Sequence, residues 1–136
     1  MPTVFDAQQL ARRYAQIVDN RDFDAMADII CDDFTQQGPQ WHCSSAAEFI
    51  GMLRLLEDNY SATFHMVGNQ LGQWQGEVYE GETYSIASHI YEQEGQGRKL
   101  DMAIRYQEQV VFRDGGYRYS RRDVQIVWTS DQPLNR

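Results

Sequence analysis

The chain has 136 residues, a hydrophobic content of 42% and a net charge of −8 from 12 basic and 20 acidic side chains. That length and composition suit one folded domain with its own core and exclude a disordered chain. The acidic balance argues against a phosphate-backbone binder and against an anionic membrane surface, because both take their affinity from basic patches. Cys31 and Cys43 show neither metal-ligand spacing nor a disulfide framework. No basic and apolar leader follows Met1, and no apolar run approaches membrane length. The expectation is a cytoplasmic protein with free thiols, without nucleic-acid or membrane partners. Glycine-rich phosphate-binding patterns are absent.

In chain order, Asp6 reads as an N-cap. Ala7, Leu10, Ala11, Tyr14, Ile17 and Val18 then recur at helical spacing, which predicts an amphipathic helix over 7–19. Phe23, Met26, Ala27 and Ile30 predict a short second helix. Cys31 to Cys43 reads as irregular, with a turn at Gly38-Pro39 and Trp41 covering something apolar. Ser45 and Glu48 form a capping-box pattern that opens a third helix carrying Phe49, Met52, Leu53 and Leu56. From Ser61 the period falls to 2, predicting strands near 61–68, 70–80, 82–94, 99–113 and 116–128. Gly81, Gly95 to Gly97 and Asp114-Gly115-Gly116 read as the hairpin turns. Residues 129–136 read as a loose polar tail, and no second domain is expected within 1–136. Helices followed by a meander is an α+β layout, with helices on one face of a strongly curved sheet.

The strand alternation singles out particular side chains. His65 sits among apolar neighbours, either as a satisfied core histidine or as the working group of a pocket. In the last strand Ser120, Arg122, Val124, Ile126 and Trp128 share one face, with Tyr119 on the other. Arg122 on the apolar face needs an anionic partner, a wet cavity, or solvent reached along its stem. In the strand before it Met102, Ile104, Tyr106 and Val110 share a face that Glu108 interrupts. Ala87, His89 and Tyr91 share another, facing either water or a cavity. Asp19 closes the first helix, where the dipole disfavours a carboxylate and raises its basicity, or it is simply a polar stop. Asp22, Asp24, Asp28, Asp32 and Asp33 read as solvated surface charges.

Three segments together resemble the SnoaL-like branch of the NTF2-like superfamily. They are Tyr14-x4-Asp19-Asn-Arg-Asp-Phe-Asp, His65-Met-Val-Gly-Asn69 and Phe112-Arg-Asp-Gly-Gly-Tyr-Arg-Tyr-Ser-Arg-Arg122. Within that branch the look is of its eliminating members: scytalone dehydratase, the bile acid 7α-dehydratase and hexachlorocyclohexane dehydrochlorinase. The resemblance implies a cone-shaped, curved antiparallel sheet closed by three N-terminal helices around a deep pocket. It implies a general-base dyad of His65 and Asp19, with Tyr14 and Arg122 at further catalytic positions. His89 matches, more loosely, the second histidine of scytalone dehydratase, which has an asparagine at the position of Tyr106. Tyr106, Trp41, Phe64, Met102 and Ile104 are the expected substrate contacts. No metal and no organic cofactor is expected.

Such a residue set suits an elimination. A neutral imidazole near pH 7 takes the proton next to the leaving group, and the aspartate fixes its tautomer. The alternatives are an isomerase or cyclase that enolises a ketone with the same base, and a non-catalytic ligand-binding or subunit role. The substrate is expected to be a mostly apolar cyclic small molecule. Tyr84, Ile86, Ile90 and Trp128 are candidates for a homo-oligomer interface, and the resemblance favours a trimer over a dimer.

Overall fold

Thr3, rather than Asp6, caps the first helix. The computed structural model describes residues 1–135. Helix α1 spans Val4–Asp19, and Thr3 accepts the Asp6 backbone N–H while the Asp6 carboxylate accepts that of Thr3. Asp6 is thus the third residue of a capping box. The buried stripe Ala7, Leu10, Ala11, Tyr14, Ile17 and Val18 is the one expected. Phe23–Asp28 is a single stretch of 3-10 helix, and Ile30 already belongs to the first strand.

The segment expected to be irregular is largely strand: β1 spans Ile30–Gln37 and β2 spans His42–Cys43. Its acidic pair Asp32-Asp33 hides the alternation that buries Phe34 and Gln36. The predicted third helix is two pieces, α2 Ala46–Arg54 and α3 Leu56–Asn59. Ser45 caps α2 by accepting the Glu48 N–H, whereas the Glu48 carboxylate takes the Ser44 N–H and leaves the box half made.

Four long strands follow: β3 Ala62–Gln75, β4 Val78–Gln93, β5 Gln96–Arg113 and β6 Gly116–Pro133. Two expected breaks are absent, because β3 runs on past residue 69 and residue 81 falls within β4. The first hairpin turns at Gly76-Glu77, with Gly76 at φ 64°, and Gly81 lies inside β4. Gly81 pairs with Gly72, and an added Cβ on either would meet the Tyr79 side chain at 2.5 or 2.1 Å. The two glycines leave the space that the Tyr79 ring occupies. The expected loose tail is also strand as far as Pro133, which pairs with Arg98. Glu94-Gly95 and Asp114-Gly115 turn the other hairpins where expected, all four residues having positive φ.

The six strands form one curved, open sheet in the order β2-β1-β6-β5-β4-β3. Its pairs are antiparallel except β1 with β6, which is parallel. α1 and α2 lie over the concave face, around a core that includes Leu10, Val18, Phe23, Phe34, Phe49 and Val110. Trp74 donates to the Thr3 carbonyl at 2.7 Å and ties the start of α1 to the end of β3.

Register shifts in β6 decide what faces inward. One extra residue at Ser120 brings Tyr119 to the same side as Arg122, against the simple alternation. Another at Val127 turns Trp128 to the outer face, where it is exposed beside Ile86, Tyr84 and Met66.

Candidate active site

Asp19 ends α1 with its carboxylate turned toward β3, the edge strand of the sheet. The Thr63 hydroxyl donates to its Oδ1 at 2.9 Å, and the His65 backbone N–H donates to its Oδ2 at 2.9 Å. An edge strand leaves such N–H groups without a strand partner, and the carboxylate takes this one. His65 Nδ1 lies 2.7 Å from Asp19 Oδ1. Burial alone would raise the Asp19 carboxyl, but the bonds from His65 and Thr63 outweigh it and hold the group below its ordinary 3.8. This reverses the effect expected from the helix dipole, which three nearby donors overwhelm. An ionised carboxylate only accepts, so Nδ1 carries a ring proton, and in the neutral imidazole the lone pair is then on Nε2.

His65 borders a cavity of about 260 Å³ inside the cone. The other polar groups on its wall are Tyr14, His89, Tyr106, Gln36 and Tyr60. The His89 ring is centred 6.3 Å from that of His65 and 4.9 Å from that of Tyr60. Its Nδ1 donates to the Leu100 carbonyl at 3.3 Å, which leaves Nε2 as an acceptor. Burial pushes this imidazole below its ordinary 6.5, so it is neutral at pH 7. The Tyr14 ring stands 6.4 Å from His65 and 6.0 Å from Tyr106. Burial raises both phenols above their ordinary 10 and keeps them as donors.

The expected site residues therefore divide. Tyr14, His65, His89 and Tyr106 share the cavity wall, with Asp19 directly behind His65. Trp41, Met102 and Ile104 line it as well. Phe64 does not: Thr63 and His65 point inward, so Phe64 points out and is 59% exposed. Arg122 is fully buried but not among the residues lining the cavity, and it pairs with Glu108 rather than reaching solvent.

Gln36, Tyr60 and Thr63 went unrecognised in the sequence. Gln36 accepts from Trp41 Nε1 at 3.0 Å and donates to the Arg122 carbonyl at 2.9 Å, fixing the indole at the cavity wall. Reading β1 as a strand would have set Gln36 beside Phe34 on the inner face. Among the described residues no group of three His, Cys, Asp or Glu side chains is placed to hold a metal ion. No helix among them is long and apolar enough to cross a membrane.

The family model for the SnoaL-like domain matches residues 5–123, and the chain belongs to that family. Its fold is shared with solved structures of several named proteins. The Kfla4162 protein of Kribbella flavida is 18% identical, with a TM-score of 0.84 over 92% of this chain and 90% of the other. A candidate scytalone dehydratase of Novosphingobium aromaticivorans is 17% identical, with a TM-score of 0.84 over 96% and 87%. A type 3 hexachlorocyclohexane dehydrochlorinase of Novosphingobium barchaimii is 16% identical, with a TM-score of 0.80 over 95% and 88%. At these identities the likeness is one of fold. No curated protein matches the chain significantly.

Proposed function

We propose that the protein is a cofactor-independent lyase that eliminates water, or a comparable leaving group, from a mostly apolar cyclic small molecule. The observation that carries this reading is the 2.7 Å contact between Asp19 and His65 Nδ1, on a ring that borders the cavity. Nε2 takes a proton from the carbon next to the one bearing the leaving group. The C–H electron pair becomes the new double bond, and the carbon–oxygen bond breaks with its pair going to oxygen. The imidazolium then returns its proton to the departing hydroxide, so water leaves and His65 is regenerated. Asp19 holds the tautomer and stabilises the imidazolium. Tyr14 and Tyr106 donate to a substrate oxygen, and His89 Nε2 accepts from a substrate hydroxyl. General acid–base help of this kind is worth about 10²–10⁴-fold.

Family membership and the shared fold support the reading, since the neighbours include proteins named as a candidate dehydratase and a dehydrochlorinase. The apolar remainder of the wall, including Val18, Leu53, Met102, Ile104 and Val124, suits a hydrocarbon ring.

The test is a screen of cyclic hydroxy-ketones and hydroxylated ring compounds, followed by mass spectrometry for loss of water. His65→Ala is expected to lower turnover by about 10²–10⁴-fold while the protein stays folded. Turnover that survives His65→Ala sinks the proposal. A product of unchanged mass assigns the pocket to an enolising isomerase. Ligands bound equally well by both proteins and never converted assign it to binding alone.

A further inference from the structure

Arg122 heads the fully buried side chains in volume, at 1% exposure, yet it is not itself among the residues that line the cavity. Its Nε donates to Glu108 Oε2 at 2.7 Å, and the two residues face each other directly across β5 and β6. Glu108 is held in turn, because the buried Thr83 hydroxyl donates to its Oε1 at 2.5 Å. Gln70 donates to that hydroxyl at 3.3 Å. The guanidinium cannot swing away from this anchor without leaving a buried charge unpaired.

What surrounds the cation is aromatic. Its central carbon lies 3.6 Å from the ring centroid of Tyr106, 4.4 Å from Tyr14 and 4.9 Å from Tyr119. Nη1 is buried with no hydrogen-bond partner among the described residues, so these electron-rich faces are its compensation. Two of the three rings, Tyr14 and Tyr106, form part of the cavity wall.

We infer that Glu108 and Arg122 are positioning residues that act on the cavity through the rings of Tyr106 and Tyr14. The guanidinium, pinned by Glu108, draws electron density from both rings and makes their hydroxyls stronger donors toward an oxygen held in the cavity. A cation on a ring face stabilises negative charge on the phenol oxygen, and it does so most in a dry interior. Burial raises both phenols; Arg122 opposes the rise in each, joined at Tyr106 by the Tyr14 hydroxyl. The elimination reading enters only in the use made of those hydroxyls; their polarisation is a property of the cluster itself.

The experiment reads the hydroxyls without any substrate. Protein carrying tyrosine labelled with carbon-13 at Cζ is examined by NMR at neutral pH, with Tyr14→Phe and Tyr106→Phe used to assign the signals. In Glu108→Gln the cation loses its counter-charge, and the Tyr106 and Tyr14 signals are expected to move downfield, toward phenolate. In Glu108→Gln/Arg122→Met neither charge remains, and both signals are expected to move upfield of native. Two variants that merely loosened packing would shift the signals the same way. A shared direction, or no movement, overturns the inference. If Glu108→Gln does not fold, the neutral double variant decides alone, since it leaves no buried charge unpaired. An upfield move then sustains the inference, and a downfield or absent one ends it. A failed turnover screen leaves this result standing, so the two readings can fall separately.

Discussion

Asp19→Asn isolates the carboxylate with the smallest change of shape. Three donors converge on the native group: Thr63 Oγ1, the His65 backbone N–H and His65 Nδ1–H, at 2.9, 2.9 and 2.7 Å. A carboxylate accepts all three. An amide has one accepting oxygen and an NH₂ group that only donates. The nitrogen therefore faces either the His65 main chain, as donor against donor, or the imidazole. The second arrangement is expected, because Nδ1 can give up its proton and accept, whereas a backbone N–H cannot. The ring proton then moves to Nε2, the position from which the base must act. One bond loses its charge assistance and the others weaken, at a cost of about 1–3 kcal/mol. Loss of the base lowers turnover by about 10²–10⁴-fold. Nitrogen-15 NMR of the imidazole reads the tautomer directly, and urea unfolding reads the stability. A variant that keeps the Nδ1–H tautomer, or that keeps native turnover, refutes the reasoning about Asp19.

Two further outcomes are expected. The Asp19 carboxyl is held below 3.8 and the His89 imidazole below 6.5. In both cases the unfolded chain binds protons more readily than the folded one, so stability falls as pH falls. For His89 the loss begins below about 6.5, and for Asp19 it begins near 4. Urea midpoints should be level at pH 7–8 and decline below pH 6.5, and His89→Gln should flatten the upper part of that decline. An unchanged profile in His89→Gln removes the buried imidazole as its source. The outer face of the sheet exposes Phe64, Met66, Ile86, Val127 and Trp128, and a closed homo-oligomer, with three copies favoured, is expected to cover it. Sedimentation should show the assembly, and Trp128→Glu should weaken it at least about tenfold, given about 1.5–3 kcal/mol for a buried apolar side chain. A native protein that stays monomeric at high concentration rejects that use of the face.

Much of the site was legible before the fold was known. Tyr14 sits on the buried stripe of the first helix, and Asp19 closes that helix. His65, His89, Tyr106 and Arg122 fall at inward positions of period-2 runs. Both facts follow from the periods of helix and strand, which are local properties of the backbone. Family resemblance then joined residues that lie far apart in the chain. Glu108 also left a trace, since it interrupts an otherwise apolar face, and only its partner was hidden.

What stayed hidden depends on pairing across strands and on packing at a distance. The bulges at Ser120 and Val127 reset the alternation of β6, and a bulge is defined by the neighbouring strand rather than by its own residues. They put Tyr119 beside Arg122 and turn Trp128 away from the cavity. Gly81 reads as a turn until Gly72 lies opposite and the Tyr79 ring occupies the space between helix and sheet. The partner of Arg122 is Glu108 because β5 and β6 meet in that register. The chain alone established the helix-then-meander order and the acidic balance, and left open whether His89 faces water or the cavity. Only the tertiary structure decided which buried charges meet, because the cost of burying a charge depends on what lies within a few ångströms of it.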